Sequence, residues 1–209
     1  MILIKYSKHK GAEFIPHLDT LKHLGRIIRR TGIEVKYSQG FNPHMLIYMS
    51  APIALGLKSL SEYCLIATDY SSEDFIEKFN ACSPLGIKAT EIYFTQNKLN
   101  VASDITSATY KISGLNKFDV NEVLNSPTFT VLDKHSGEKE VKDRIISLYF
   151  DGDDLIATLK FGNITLRPDA FANKLKSLYG GDKINIIKQD VKFLDNLTCA
   201  DYVNGKNNV

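Results

Sequence analysis

The sequence predicts an α+β fold of two tandem ferredoxin-like βαββαβ units with antiparallel sheets, on three observations. Short apolar runs rich in β-branched residues alternate with two stretches of 3.6-residue periodicity in the first half of the chain. The same alternation returns in the second half, and a polar stretch, TQNKLNVASDITS at 95–107, separates the two. The boundaries that follow are 1–95 for the first unit, 96–107 for a linker, 108–197 for a second unit with an extra strand, and 198–209 for a flexible tail. A chain of 209 residues suits one large domain or two of about 100 each, and either size can bury a core.

Each element has a local reason. MILIKYSK opens as an apolar, β-branched strand. From Pro16 to Thr31, Leu18, Leu21, Leu24, Ile27 and Ile28 fall on one side of a helical wheel, with Pro16 suited to the helix start and Gly32 to its stop. IEVKY (33–37), MLIYMSA (45–51) and EYCLIAT (62–68) read as strands. SSEDFIEKFNAC (71–82) reads as a helix with Ser71 or Ser72 as its cap and Phe75, Ile76 and Phe79 inward, and IKATEIYF (87–94) closes the unit as a strand. The second half gives strand ATYKISG, helix NKFDVNEVLNS (116–126), strand TFTVLDK (128–134), a pair RIISLYF and DLIATLKF around the turn DGDD, helix PDAFANKLKSLYG and strand INIIKQDVKFL.

Composition bounds the function. No apolar run reaches the roughly 18 residues a membrane helix needs, and Lys5 interrupts what would be a signal peptide's apolar region, so the expected location is cytoplasmic. Cys64, Cys82 and Cys199 are odd in number and far apart. They suit neither a disulfide framework nor a zinc or iron–sulfur site, so no metal or cofactor is expected. Residues 1–44 carry eight Lys and Arg against three Asp and Glu, a net +5 that leaves −3 for the remainder of a chain with +2 overall. That asymmetry points the basic part toward an anion such as RNA.

Two features in the basic part carry candidate chemistry. On the first helix, Lys22, His23, Arg26, Arg29 and Arg30 lie about 180° from the apolar side, a cationic ridge in which arginine predominates, the side chain suited to forked phosphate contacts. Asp19 stands one turn before His23, either fixing its tautomer or facing the helix N-terminus as a favourable negative charge. The second feature is YSQGFNPH (37–44), where Gly40 permits a positive φ and Pro43 stiffens the chain while Tyr37, Ser38, Gln39, Phe41, Asn42 and His44 supply side chains for recognition. GLKSLSE lacks phosphate-loop glycine spacing, and neither G-x-S-x-G nor HExxH occurs.

PHLDTLKHLGRIIRR, YSQGFNPH and APIALGLKSLSEY together resemble the family of radical-SAM-linked proteins of unknown function, with weaker likeness at LRPDAF. By that resemblance the characteristic positions are His17, Leu18, Asp19, Arg26, Arg30, Ser38, Gly40, Phe41, Asn42, Pro43, His44, Gly56 and Glu62. Pro16 replaces the usual serine, and Leu65 stands where an acidic residue commonly follows the Glu62–Tyr63 pair. The family occurs as a separate protein or C-terminal to cobalamin-binding and radical-SAM domains, which implies a radical-SAM enzyme in another chain as partner. The tandem pattern is also similar to tRNA pseudouridine synthases and CRISPR repeat-processing endoribonucleases, but the 37–44 loop lacks the aspartate that synthase chemistry requires. Three function classes follow: a non-catalytic RNA-binding or substrate-presenting accessory module, a metal-independent RNA-processing or RNA-modifying enzyme using His17, His44 and Tyr37 as acid and base, and an adaptor that touches only protein.

Overall fold

The computed structural model describes residues 1–133 and 137–208. The chain is a mixed α+β protein that divides into two compact units, Met1–Ile105 with Phe193–Val209, and Thr106–Lys192.

The first unit runs β1 (Ile2–Lys8), α1 (His17–Thr31), β2 (Ile47–Met49), β3 (Lys58–Ile66), α2 (Phe75–Cys82) and β4 (Ile87–Phe94). Its strands lie in the order β4-β1-β3, with β2 on the far side of β3, and every pairing among them is antiparallel. The period-2 alternation of β1 places Ile2, Ile4 and Tyr6 on one face, opposite Ile66, Cys64 and Glu62 of β3. Leu24, Ile27 and Ile28 of α1 and Phe75 and Phe79 of α2 complete that buried cluster. Each such side chain contributes about 1.5–3 kcal/mol relative to remaining in water.

Helix α1 follows β1 after the 3-10 turn Ala12–Phe14, and its two ends serve different neighbourhoods. Fifteen residues carry it about 21 Å. Its C-terminus is closed by Gly32 at φ 75°, the left-handed conformation that glycine adopts without a Cβ penalty. Leu18 differs from the expected core role: it is 69% exposed, because the buried face of α1 runs through Thr20, Leu24, Ile27 and Ile28, centred more than about 90° around the helix from Leu18.

Other local expectations are corrected as well. IEVKY forms no strand; Tyr37 makes an isolated bridge to Met45, and Lys36 N donates to Ala67 O at 2.8 Å. Neither Ser71 nor Ser72 caps α2; Asp74 occupies the cap position, and its carboxylate turns to Lys78 at 2.8 Å and to the Tyr70 hydroxyl instead of the helix amides.

The second unit runs β5 (Ile105–Leu115), α3 (Val120–Leu124), β6 (Thr130–Asp133), β7 (Gly137–Glu140), β8 (Ile145–Asp151), β9 (Asp154–Lys160), α4 (Pro168–Tyr179) and β10 (Gly181–Phe193). Its strand order is β10-β5-β9-β8, and β6 pairs with β7 as a separate antiparallel hairpin. The expected extra strand is therefore a hairpin; Lys134, the last residue of its sequence signal, lies outside the described residues, as does Val209. The α3 helix is shorter than 116–126 because Asp119 accepts from Asn121 N at 3.0 Å and starts the helix there. DGDD is the turn expected, with Asp151 opposite Asp154 and Gly152 at φ 58°.

Two segments assigned to linker and tail carry structure. Leu99 and Val101 are buried, and residues 199–207 form α5 (Cys199–Asn207). Thr198 caps α5 by accepting from Asp201 N at 3.2 Å, and Tyr202 stacks on Phe193 with ring centroids 4.5 Å apart. The cap gives this polar stretch a start that its weak periodicity did not reveal. Among the described residues no helix is long and apolar enough to cross a membrane.

Candidate nucleic-acid interface

Sheet register and helix direction bring the loop and the C-terminal end of α1 together. Arg29 lines an open groove of about 400 Å³ with Ile33, Glu34, Val35, Tyr37 and Met45, at the base of the 38–44 loop, so one carboxylate stands against the arginine there. Arg26, Arg29 and Arg30 are exposed and, among the described residues, take part in no ion pair. The Arg29 and Arg30 charges, in the last turn, complement the negative end of the helix dipole, yet the guanidinium forks remain open to solvent. Lys22 differs: it is held at 3.0 Å by Asp19, whose carboxyl the lysine keeps below its ordinary range. Asp19 therefore answers Lys22 and makes no hydrogen bond to His23 among the described residues.

The loop is clipped at its base by its own residues. Ser38 N donates to His44 O at 2.9 Å, His44 N donates to Ser38 Oγ at 3.1 Å, and Ser38 Oγ lies 2.9 Å from His44 Nδ1. Together with the Tyr37–Met45 bridge these bonds close a five-residue arch, Gln39–Pro43. Gly40 stands at φ 127°, a region open to glycine alone among common residues, with nothing within 4 Å of where a Cβ would be. Phe41 at the tip is fully exposed (111%).

A second cluster lies at the opposite end of α1. His17 is half-buried there, beside Glu62 (4% exposed), Lys8 (6% exposed) and the buried Tyr6, which is the cross-strand partner of Glu62. Lys8 Nζ donates to Ile15 O at 2.6 Å. Burial lowers the His17 pKa, with the Glu62 carboxylate working against that shift and Lys8 with it. Burial also raises the Tyr6 phenol, and Glu62 adds to the rise. Gly56 belongs to this end too: at φ 86° it donates its N–H to Glu13 O at 2.9 Å and packs beside Phe14.

The candidate residues therefore divide. Arg29, Tyr37 and the 38–44 arch share one end of the first unit, while His17, Gly56 and Glu62 share the other. His17 and Arg29 are twelve residues apart on one helix, about 18 Å along its axis, so His17 is not joined with Tyr37 into one acid–base constellation. Tyr37 faces the Arg29 groove, and His44 is engaged with Ser38. Nothing local in the chain announced Tyr6 and Lys8 beside Glu62, because cross-strand and strand-to-loop neighbours are set by register. The Ser38–His44 spacing of six residues was the one available signal of a closed loop. Leu65, at the position where an acidic residue was expected by resemblance, is fully buried. Among the described residues no three His, Cys, Asp or Glu side chains are grouped to hold a metal ion.

A bacterial family described as uncharacterized protein conserved in bacteria (DUF2344) matches residues 1–168. No curated protein matches the chain in sequence. Among solved structures, a chain from the crystal structure of a Cbf5-Nop10-Gar1 complex is similar at a TM-score of 0.44 and 9% identity, with 97% of this chain and 54% of that chain covered. The chain thus spans about half the length of that structural neighbour.

Proposed function

Because the chain belongs to the family of uncharacterized proteins conserved in bacteria (DUF2344), whose membership supplies no activity, we propose a function from the geometry: a non-catalytic RNA-binding or substrate-presenting module. The observation that carries this reading is the groove in which Arg29 meets Tyr37 and Met45 at the base of a clipped loop, with Arg26 and Arg30 on the same helix. Open arginine forks beside an exposed aromatic suit a phosphate backbone and its bases. The partner that acts on the RNA is a radical-SAM enzyme carried by another chain, a proposal that rests on the motif resemblance. The strand orders β4-β1-β3-β2 and β10-β5-β9-β8 support reading both units as ferredoxin-like, the second with the β6–β7 hairpin inserted.

The test is RNA retention as a function of salt. Affinity for single-stranded RNA falls with a log–log slope of about −0.7 per phosphate contacted. Arg26→Glu with Arg30→Glu weakens binding and flattens that slope while the melting temperature stays near wild type, since both side chains reach water. Absence of binding to any RNA at low salt, or binding that salt does not change, overturns the reading.

A further inference from the structure

We propose that the 39–43 arch holds one unpaired nucleobase, so that the protein takes single-stranded or looped RNA in preference to duplex; this rests on the RNA-binding reading above. The arch is built to present side chains rather than to connect strands. Its base is fixed by the Tyr37–Met45 bridge and by three bonds between Ser38 and His44. Its tip carries Phe41, whose ring lacks cover within the chain.

The bonds at the base also determine which way His44 faces chemically. Ser38 Oγ accepts from the His44 amide and shares a hydrogen bond with Nδ1, which ties down that side of the ring and leaves Nε2 without a partner among the described residues. His44 is exposed, and Nε2 is free to donate to or accept from a ligand. Asn42 adds a carboxamide that, among the described residues, makes no hydrogen bond within the chain. An aromatic face, a positioned imidazole nitrogen and an amide that both donates and accepts are the groups that recognise an unstacked base by its face and edge. An RNA duplex conceals the base faces in its stack and the edges in its pairs, and offers such a tip only phosphates and sugars. The tip stands at most about 10 Å from the base of the arch, three extended residues, so a nucleotide held there has its flanking phosphates near the Arg29 groove. The open arginines argue for RNA over an apolar protein surface as the occupant of the tip.

The test uses the full chain and a single-stranded RNA 12-mer carrying one central 2-aminopurine, alone and annealed to its complement, at low salt. The single strand binds about 10-fold or more tighter than the duplex, with fluorescence quenched on binding. Phe41→Ala removes the quenching and about 10-fold to 100-fold of the affinity for the single strand, while duplex binding stays unchanged. Phe41→Tyr retains both. Since Phe41 is fully exposed, the alanine variant melts with wild type. Equal affinity for the two RNAs with no effect of Phe41→Ala overturns the base-holding role and leaves phosphate binding standing. Loss of radical-SAM enzyme capture by Phe41→Ala, with RNA affinity intact, assigns the tip to a protein contact and overturns it equally. Failure to bind either RNA removes the RNA-binding reading itself.

Discussion

Two glycine-to-alanine substitutions separate the strain of a conformation from the strain of a contact. At Gly86, φ is 92° and an added Cβ would stand 1.9 Å from the His9 carbonyl oxygen and 3.1 Å from the Ala12 Cβ. Contacts below 3.0 Å are not sustained, so the β4 entry must retreat by about 1 Å. That retreat breaks the bond from His9 N to Gly86 O, now 3.0 Å. The positive φ costs about 1–2 kcal/mol, the forced contact about 1–3 and the lost hydrogen bond about 1. The total of about 3–6 kcal/mol, at about 2–4 °C per kcal/mol for a chain of this size, lowers the melting transition by about 6–24 °C. At Gly40, φ is 127° and no atom lies within 4 Å of the place an alanine methyl would take. Only the conformational cost of about 1–2 kcal/mol applies, a fall of at most about 8 °C, and the arch re-aims Phe41. Scanning calorimetry on the purified variants reads the first effect, and titration with single-stranded RNA the second. Gly40→Ala falling as far as Gly86→Ala, or Gly86→Ala melting with wild type, would show that contact and conformation are not separable in this way.

Glu62→Gln is expected to lower the His17 pKa further, since burial holds it below the usual histidine value and the Glu62 charge opposes that shift. A histidine lowered by folding contributes stability that is present above its unfolded value and lost as pH falls through the folded one. The variant's acid-side loss therefore extends to a lower pH, and imidazole NMR titration of both proteins checks the order; an unchanged midpoint refutes the closeness of Glu62. Burial raises the Cys64 thiol far above its ordinary range and the Cys199 thiol to about 12, whereas Cys82 is half-buried. A disulfide reagent at pH 8 thus modifies Cys82 in the fast phase and all three thiols only after unfolding in guanidinium. Fast modification of Cys64 would contradict the packing of β3 beneath α1.

Elements whose period is long and unambiguous were legible along the chain alone. Helix α1 was located within one residue, β4 in full, and the alternation of strands and helices in both halves, because apolar periodicity is a property of neighbours in sequence. The arginine ridge and the 37–44 loop were legible too, since a helical wheel and a Gly–Pro bend need no distant partner. The extent of burial could not be read: Leu18 lies at the edge of the apolar stripe and stays exposed while Thr20 is buried in its place, and Leu99 and Val101 sit in a polar stretch yet are covered. Helix α5 was hidden because its start depends on a Thr198 cap more than on an apolar face. Three pairings came from the folded chain: Asp19 answers Lys22, Ser38 clips His44, and Glu62 faces Tyr6 across β1 and β3. Folding also set His17 and the loop at opposite ends of α1. Strand register and the direction of a helix over its sheet fix those relations, and both are set by how whole elements bury their faces against one another.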